Sequence, residues 1–480
     1  MTRARIPSTG RPPADLLGQL DALAKGDADF AGGHTWSMVY WAGDAHHSLV
    51  EQAHDRFLAT NGLNPMAFQS LKRMEEEVVA MSATLLHAPP EASGTMTSGG
   101  TESIMLAVKT WRDRAASRRH LPRGRQPEVL APVTVHPAFA KACHLFGLRL
   151  RTVPVDGDGL VDPGRLLRAI GRRTVLVVAS APQYPHGAVD PIGAIAAGAA
   201  RRGVPVHVDA CFGGFLLPWL ERLGVDVPTW DFRVPGVQSI SADLHKYGYA
   251  AKGASVLLYR DGATLRHQFF VSTDWPGGIY ASPGLAGTRP GGPIAAAWAA
   301  LQALGEEGYL DLSRQTWQAA ESLRAGIADI PGLRLLGRPH SSVVTWAATD
   351  DTLDVYAVAD LLQARGWSVD RQQDPPSVHC SCTPANLPVV PRYLDDLRAC
   401  VDEARRRPDL AFRGDAAVYG MMARVPLRGF VRKGVLDLME QMYGAHPGAL
   451  SLSDAPDLPD WGQRALHRVD RLRRRLRRAA

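Results

Sequence analysis

Apolar positions along this 480-residue chain follow two alternating patterns. Short runs rich in β-branched residues, at Glu128 to Val135, Val175 to Ala179, Val204 to Asp209 and Ala254 to Tyr259, read as buried strands. Between them lie stretches of helix formers, such as Phe139 to Phe146 and Ile192 to Arg202. This alternation predicts an α/β architecture with a mostly parallel sheet and with ligands at the strand ends. Ala14 to about Leu86 reads as helical material leading into a large domain, which runs to about Tyr309, where an alanine-rich helix begun near Pro293 ends. Strands at Leu333 to Leu336 and Ser342 to Ala347, then a helix at Asp354 to Arg365, open a smaller domain. The predicted layout is a mobile N-terminus over 1–13, a helical segment over 14–86, a large domain over 87–310, a small α/β domain over 311–445 and a basic tail over 446–480.

With 45% hydrophobic residues the chain can bury more than one core. Its five cysteines do not make a disulfide framework, and Cys380-Ser381-Cys382 lacks the spacing of a zinc site, so a reducing compartment is expected. The first ten residues hold no apolar core of signal-peptide length, and the alanine-rich stretch Pro293 to Leu304 is too short to span a bilayer. The net charge of +6 is a property of the tail: from Arg464 onward eight arginines face one aspartate. Leu466, Val469, Leu472 and Leu476 recur among them at helical spacing, which predicts a basic amphipathic helix over about 464–478. Docking on its own protein, contact with an anionic membrane and nonspecific polyanion binding are the three uses open to it.

The chemistry centres on Ser239-Ile-Ser-Ala-Asp-Leu-His-Lys-Tyr-Gly-Tyr-Ala-Ala-Lys-Gly253. Lys246 follows a short β-prone segment and sits among His245, Tyr247, Gly248 and Tyr249, a loop setting in which a lysine can form a Schiff base with pyridoxal 5′-phosphate. Asp209 ends the strand-like run Val204 to Asp209, where a carboxylate can pair with a protonated pyridine nitrogen; a turn or capping aspartate would look the same. Thr97-Ser-Gly-Gly-Thr-Glu-Ser103 is a glycine turn that opens a mostly buried helix. Backbone N–H groups of Gly99, Gly100 and Thr101, with the Thr101 and Ser103 hydroxyls, would bind a phosphate there, while Glu102 also fits an ordinary capped first turn.

These pieces, in this order, resemble the sphingosine-1-phosphate lyase branch of the group II PLP-dependent decarboxylase family, from about Gly33 to about Tyr443. The resemblance rests on Gly94 to Ser103, Val135-His-Pro-Ala-Phe-Ala-Lys-Ala142, His207-Val-Asp-Ala-Cys-Phe-Gly-Gly-Phe215, Ser239 to Gly253 and Gly278 to Gly291. It implies the aspartate-aminotransferase-like fold, called fold type I, with pyridoxal 5′-phosphate as cofactor. It implies that Lys246 is the aldimine lysine, that Asp209 holds the pyridine nitrogen protonated and that His136 lies on the cofactor ring. Gly100, Thr101 and His245 match phosphate contacts, and Gly287 with Thr288 matches a loop that reaches the cofactor of a neighbouring subunit, so a homodimer is expected.

Two reactions stay open. In the lyase reading a phosphorylated long-chain 2-amino-3-hydroxy base splits at C2–C3 into a fatty aldehyde and phosphoethanolamine; in the other an L-amino acid loses its carboxylate. A PLP-binding protein without turnover is a third reading. Tyr40 and Lys252 match substrate-phosphate positions of the lyases, whereas Asn64 stands where the lyases usually have histidine, which replaces an ionisable donor by a neutral amide. Each also has an ordinary role available, as a half-buried aromatic, a surface lysine and a turn residue before Pro65. Animal members carry an N-terminal membrane anchor; this N-terminus has none, so the expectation is a soluble, cytoplasmic enzyme.

Overall fold

The computed structural model describes residues 5–118, 126–424 and 428–443. The predicted amphipathic helix over 464–478 lies outside them.

Three helices, α1 (Pro13–Ala24), α2 (Asp44–Arg56) and α3 (Gln69–Leu85), precede the main sheet. The large domain carries β1 (Ser93–Thr97), α4 (Gly100–Ser117), β2 (Glu128–Pro132), α5 (Ala138–Phe146), β3 (Arg149–Val153), α6 (Pro163–Arg168), β4 (Thr174–Ser180), α7 (Ile192–Ala200), β5 (Val206–Asp209), α8 (Leu217–Arg222), β6 (Val237–Ala242), β7 (Ser255–Tyr259) and α9 (Gly262–Leu265). Its seven strands take the order β1-β7-β6-β5-β4-β2-β3. β7 pairs antiparallel with both neighbours and the remaining ladders are parallel, so six strands point one way. All seven residues of β4 are buried, as a central strand covered on both faces requires.

Parallel strands deliver their following loops to one edge. The turns after β1, β2, β4, β5 and β6 therefore bring Gly99, His136, Tyr184, Asp209 and Lys246 to the same side of the molecule. A two-stranded ribbon, β8 (Phe270–Ser272) with β9 (Tyr280–Ser282), stands apart from the main sheet.

Helix α10 (Gly291–Ala328) departs from the expectation of a helix and domain ending near Tyr309. It bends at Gly305, whose φ of 54° suits glycine, and then continues. Tyr309 and Leu312 pack into the core of the large sheet, while Ala319, Ala320, Leu323 and Ile327 pack into a second core. One helix thus serves both cores, and the apolar stripe past Tyr309 is used rather than terminated.

That second core lies under a four-stranded antiparallel sheet in the order β10 (Leu333–Leu335), β11 (Val343–Ala348), β13 (Pro376–Ser381), β12 (Asp370–Gln373). It is closed by α11 (Val355–Ala364), α12 (Val390–Arg406) and α13 (Gly414–Arg424), and α14 (Arg428–Met442) follows. Asp354 caps α11 by accepting from the Tyr356 and Ala357 N–H groups, an arrangement worth about 1 kcal/mol. Cys380 and Cys382 are free and buried in this core.

The irregular segment from Gly33 to Tyr40 crosses onto the small domain. Buried Asn386 holds it, donating to the Gly33 and Thr35 carbonyls at 2.9 and 3.0 Å. Trp36 is fully buried in the small-domain core, so this short N-terminal strip is a fixed wall of the cleft. Among the described residues no helix is long and apolar enough to cross a membrane.

Candidate active site

Lys246 sits in the turn after β6, and its ammonium meets the Asp243 carboxylate at 3.0 Å. Asp243 is 2% exposed, and its carboxylate also lies 3.5 Å from His245 Nε2. Burial alone would discharge Lys246, but Asp243 outweighs it and holds the lysine pKa above its ordinary value. Burial likewise opposes the Asp243 charge, yet Lys246 and His245 carry its pKa well below the usual carboxylate range.

The loop is held rigidly. Tyr247 turns into the protein, bonding Ser342 Oγ at 2.5 Å and donating to the Cys382 carbonyl at 2.8 Å. Tyr249 takes a left-handed φ of 52°, and its ring is buried in the large-domain core. The Lys246 ammonium therefore projects from an anchored turn, 6.0 Å from the centre of the Phe212 ring.

Asp209 is buried at the C-terminal end of β5, beside β6 in parallel register. Its Oδ1 accepts from the Cys211 N–H at 3.1 Å and the Ser241 hydroxyl at 3.4 Å, which fix the carboxylate. His136 ends the turn after β2, where its Nδ1 accepts the Ala138 N–H at 3.2 Å. Surrounding protein pushes its pKa down, partly offset by the Asp209 charge.

The first turn of α4 completes the arrangement. Gly99 has φ 151°, and a Cβ there would lie 3.1 Å from the His245 ring. A Cβ on Gly100 would stand 2.7 and 2.9 Å from the Asp243 carboxylate oxygens and 2.9 Å from Cys211 Sγ. The positive end of the α4 dipole, its first-turn N–H groups and His245 lie together at this glycine turn, and a phosphate could be held by those N–H groups. His245 Nδ1 accepts the Ala254 N–H at 3.3 Å, which leaves Nε2 to carry the proton. Thr101 is exposed at the same turn. Ser103 corrects the sequence expectation: its hydroxyl is buried between Thr97 at 2.7 Å and Ser255 at 2.9 Å and is not available to a phosphate.

Glu102 has more than a capping role. It accepts from the Ser98 N–H and hydroxyl at 2.7 Å each and from the Leu285 N–H at 2.9 Å, tying the glycine turn to the segment that carries Gly287 and Thr288. Thr288 itself is exposed.

Tyr40 and Lys252 are brought together, the ammonium 5.3 Å from the Tyr40 ring centre. Lys252 donates to the Met38 carbonyl at 2.6 Å and the His245 carbonyl at 3.2 Å. Burial and the nearby Lys246 charge push its pKa down to about 8, and burial pushes the Tyr40 phenol up to about 12. Asn64 is not joined to this pair by any hydrogen bond. It is exposed, and its carbonyl oxygen accepts from the Met66 and Ala67 N–H groups at 3.1 and 3.2 Å, as the turn reading has it.

Sequence reasoning missed three residues of this cleft. Asp243 stands three before Lys246 within the run already singled out, and its signal was that spacing in a tight turn. Tyr184 follows β4 by the same strand-end rule that placed Asp209, and donates to Asp370 at 2.8 Å. Asp370 lies on a short polar strand whose sequence carries no such signal.

A mostly parallel sheet with a lysine after one strand, an aspartate at the end of its neighbour and a side-chain-free helix start between them defines a pyridoxal-phosphate enzyme of fold type I, and these residues fit that cofactor. Residues 34–347 match the pyridoxal-dependent decarboxylase conserved domain. The chain is 40% identical over 437 residues to sphingosine-1-phosphate lyase of Arabidopsis thaliana, covering 89% of this chain and 79% of that protein. It is 39% identical to sphingosine-1-phosphate lyase 1 of Rattus norvegicus, covering 92% and 77%. The solved sphingosine-1-phosphate lyase of Burkholderia pseudomallei superposes with a TM-score of 0.82 at 38% identity, covering 91% of this chain and 97% of that one. Glutamate decarboxylase of Lactobacillus brevis shares the fold, with a TM-score of 0.75 at 20% identity, covering 85% and 96%. The chain belongs to the pyridoxal-dependent decarboxylase family, in its sphingosine-1-phosphate lyase branch, and pyridoxal 5′-phosphate is its cofactor.

The cradle makes a direct prediction. Gly100→Ala places a methyl group against Asp243 and Cys211, so a spectroscopic titration of the apoprotein with pyridoxal 5′-phosphate is expected to show affinity lowered about tenfold or more, roughly the 1–3 kcal/mol of an overpacked site. Unchanged affinity would place the phosphate elsewhere.

Proposed function

We propose that this chain cleaves a phosphorylated long-chain 2-amino-3-hydroxy base between C2 and C3, releasing a fatty aldehyde and phosphoethanolamine. The observation that carries the reading is the second cation beside the first: Lys252, under the Tyr40 ring, stands next to the Lys246 loop and can receive a phosphate as a point charge. The lyases named above support it. In the amino-acid decarboxylation reading, Lys252 and Tyr40 would have no substrate phosphate to meet.

In this reading Lys246 would carry the cofactor, Asp209 would pair with its ring nitrogen and His136 would lie on its ring. Gly99, Gly100, Thr101 and His245 hold its phosphate. Bound there, pyridoxal 5′-phosphate supplies an electron sink for the bond broken at the amine-bearing carbon. Asp209, whose carboxylate is positioned by Cys211 and Ser241, would by its negative charge keep the ring nitrogen protonated. Asp243 keeps a proton on the displaced Lys246 amine, ready for C2 after the aldehyde departs. Asn64 contributes no charge, so the substrate phosphate is held by Lys252 and Tyr40.

The same reading makes the chain a homodimer in which Gly287 and Thr288 serve the partner's site. Support comes from uncovered apolar surface. Leu16, Leu17, Leu20 and Leu23 of α1 are exposed, and so are Phe269, Phe270, Val271, Trp275 and Ile279 around the β8–β9 ribbon. Sedimentation velocity is expected to give twice the chain mass, and Phe270→Glu with Trp275→Glu to yield monomers with little turnover. An active monomer would reject the shared site.

The decisive experiment is product analysis by mass spectrometry after incubating the PLP-loaded protein with sphingosine 1-phosphate and, separately, with L-amino acids. Long-chain aldehyde and phosphoethanolamine are expected, and Lys246→Ala should abolish both turnover and the borohydride-reducible attachment of cofactor. Amine and carbon dioxide from an amino acid, with the phosphorylated base untouched, would move the chain to decarboxylation.

Lys252 adds a pH signature. Its charge is present below its lowered pKa of about 8 and is lost above it. KM for the phosphorylated substrate should therefore rise about tenfold from pH 7 to pH 9, as the competent fraction falls. Lys252→Ala is expected to raise KM at pH 7 and flatten this rise, and a wild-type KM that ignores pH would remove Lys252 from phosphate binding.

A further inference from the structure

Tyr184 and Asp370 meet across the cleft and hold none of the roles assigned above. Tyr184 follows β4 of the large sheet, whereas Asp370 opens β12 of the small one. The phenol donates to Asp370 Oδ2 at 2.8 Å. The next residue clamps the segment, because the Pro185 carbonyl accepts from Thr345 Oγ1 at 2.7 Å and Gln372 Nε2 at 2.9 Å. His379, the register partner of Asp370 on β13, lies against the Tyr184 ring with centroids 4.1 Å apart. On its other side Tyr184 meets the Phe212 ring at 6.2 Å, and the Lys246 ammonium is 6.0 Å from the centre of that same ring. Tyr184 is thus fixed from two domains at the edge of the lysine's pocket.

Asp370 accepts the Tyr184 hydrogen bond with no cation paired to it among the described residues; adjacent Arg371 turns to Asp360 at 2.5 Å and to Asp415 at 4.0 Å. The other titratable neighbours are Tyr40, Cys380, His186, His379 and Tyr419. Burial pushes the His379 pKa down to about 4 and lowers that of His186, so neither histidine is a cation at neutral pH. A phenol that donates to a carboxylate keeps its oxygen lone pairs for a second proton.

Resting on the retro-aldol reading, we infer that Tyr184 and Asp370 form the relay that accepts the substrate's 3-hydroxyl proton. As the C2–C3 bond breaks, its electron pair stays with C2 and C3 becomes the aldehyde carbon. The hydroxyl proton passes to the Tyr184 oxygen while Tyr184's own proton passes to Asp370, which returns it to solvent. C2 receives its proton from Lys246, which solvent recharges, so the two transfers balance. The relay divides the chemistry: Tyr184 serves the oxygen and Lys246 serves the carbon.

That division is testable with the holoenzyme. In deuterated buffer, exchange of the C2 hydrogens of phosphoethanolamine, followed by proton NMR, needs Lys246 and no hydroxyl acceptor. Cleavage of sphingosine 1-phosphate needs both. Tyr184→Phe and Asp370→Asn are expected to lower kcat for cleavage about 100-fold or more, the usual contribution of a positioned acid–base group. Exchange should stay within about threefold, and the cofactor absorbance and the spectroscopically titrated phosphoethanolamine affinity should be unchanged, as expected of groups that act on the oxygen alone. Asp370→Glu should restore part of the cleavage. Cleavage retained in Tyr184→Phe, or cleavage and exchange lost together, would overturn the relay. A wild-type enzyme that neither cleaves nor exchanges would instead overturn the retro-aldol reading on which it rests.

Discussion

A lysine taken out of water costs several kcal/mol unless a fixed anion goes with it. In this chain that anion is Asp243, 3.0 Å from Lys246 and itself 2% exposed. The pair sets the terms for its surroundings. Gly100 has no room for a side chain because the carboxylate occupies the space, and His245 points at the same oxygen. The lysine cannot drift, since Tyr247 beside it is bonded into the small domain. A buried charge pair of this kind contributes little net stability. Its value is positional, keeping one amine charged at one point of a cleft.

The cleft needs both domains, and three features hold them together. Helix α10 feeds side chains to both cores across its bend at Gly305. The Gly33 to Tyr40 segment lies on the small domain through Asn386 and presents Tyr40 to Lys252. Tyr184 reaches from the large sheet to Asp370 of the small one. Polar contacts across a domain boundary are costly to leave half made, so they select the closed arrangement in which all the partners meet.

How much of this was legible in the sequence depended on how local the information was. Lys246, Asp209 and the Gly99–Gly100 turn could be read because parallel strands declare themselves as apolar runs and active groups gather at their ends. The small sheet was half legible: β10 and β11 are apolar enough to register, whereas β12 reads Asp-Arg-Gln-Gln and owes its strand state to pairing with β13. Asp370 was hidden for that reason. Ser103 misled because a hydroxyl in a helix's first turn looks the same whether it faces a phosphate or Thr97 and Ser255. The end of α10 was misjudged because the alanine-rich run gives out near Tyr309, whereas the helix bends at Gly305 and continues on a second apolar stripe into the other core.

Choice of reaction cannot reside in the parts that were easiest to read. A lysine, an aspartate on the ring nitrogen and a phosphate cradle serve any chemistry that leaves electrons on the amine-bearing carbon. What separates losing a carboxylate from splitting a carbon–carbon bond beside a hydroxyl is a proton acceptor for that hydroxyl and a cation for the group beyond it. Both candidates here neighbour the lysine loop, Lys252 through the His245 carbonyl and Tyr184 through the Phe212 ring. Lys252 is held by backbone carbonyls of the lysine loop and the N-terminal strip, and Tyr184 is held by the small domain. Their positions are therefore set by how the two domains and the N-terminal segment meet, so the same sheet edge can host different reactions as those outer contacts change.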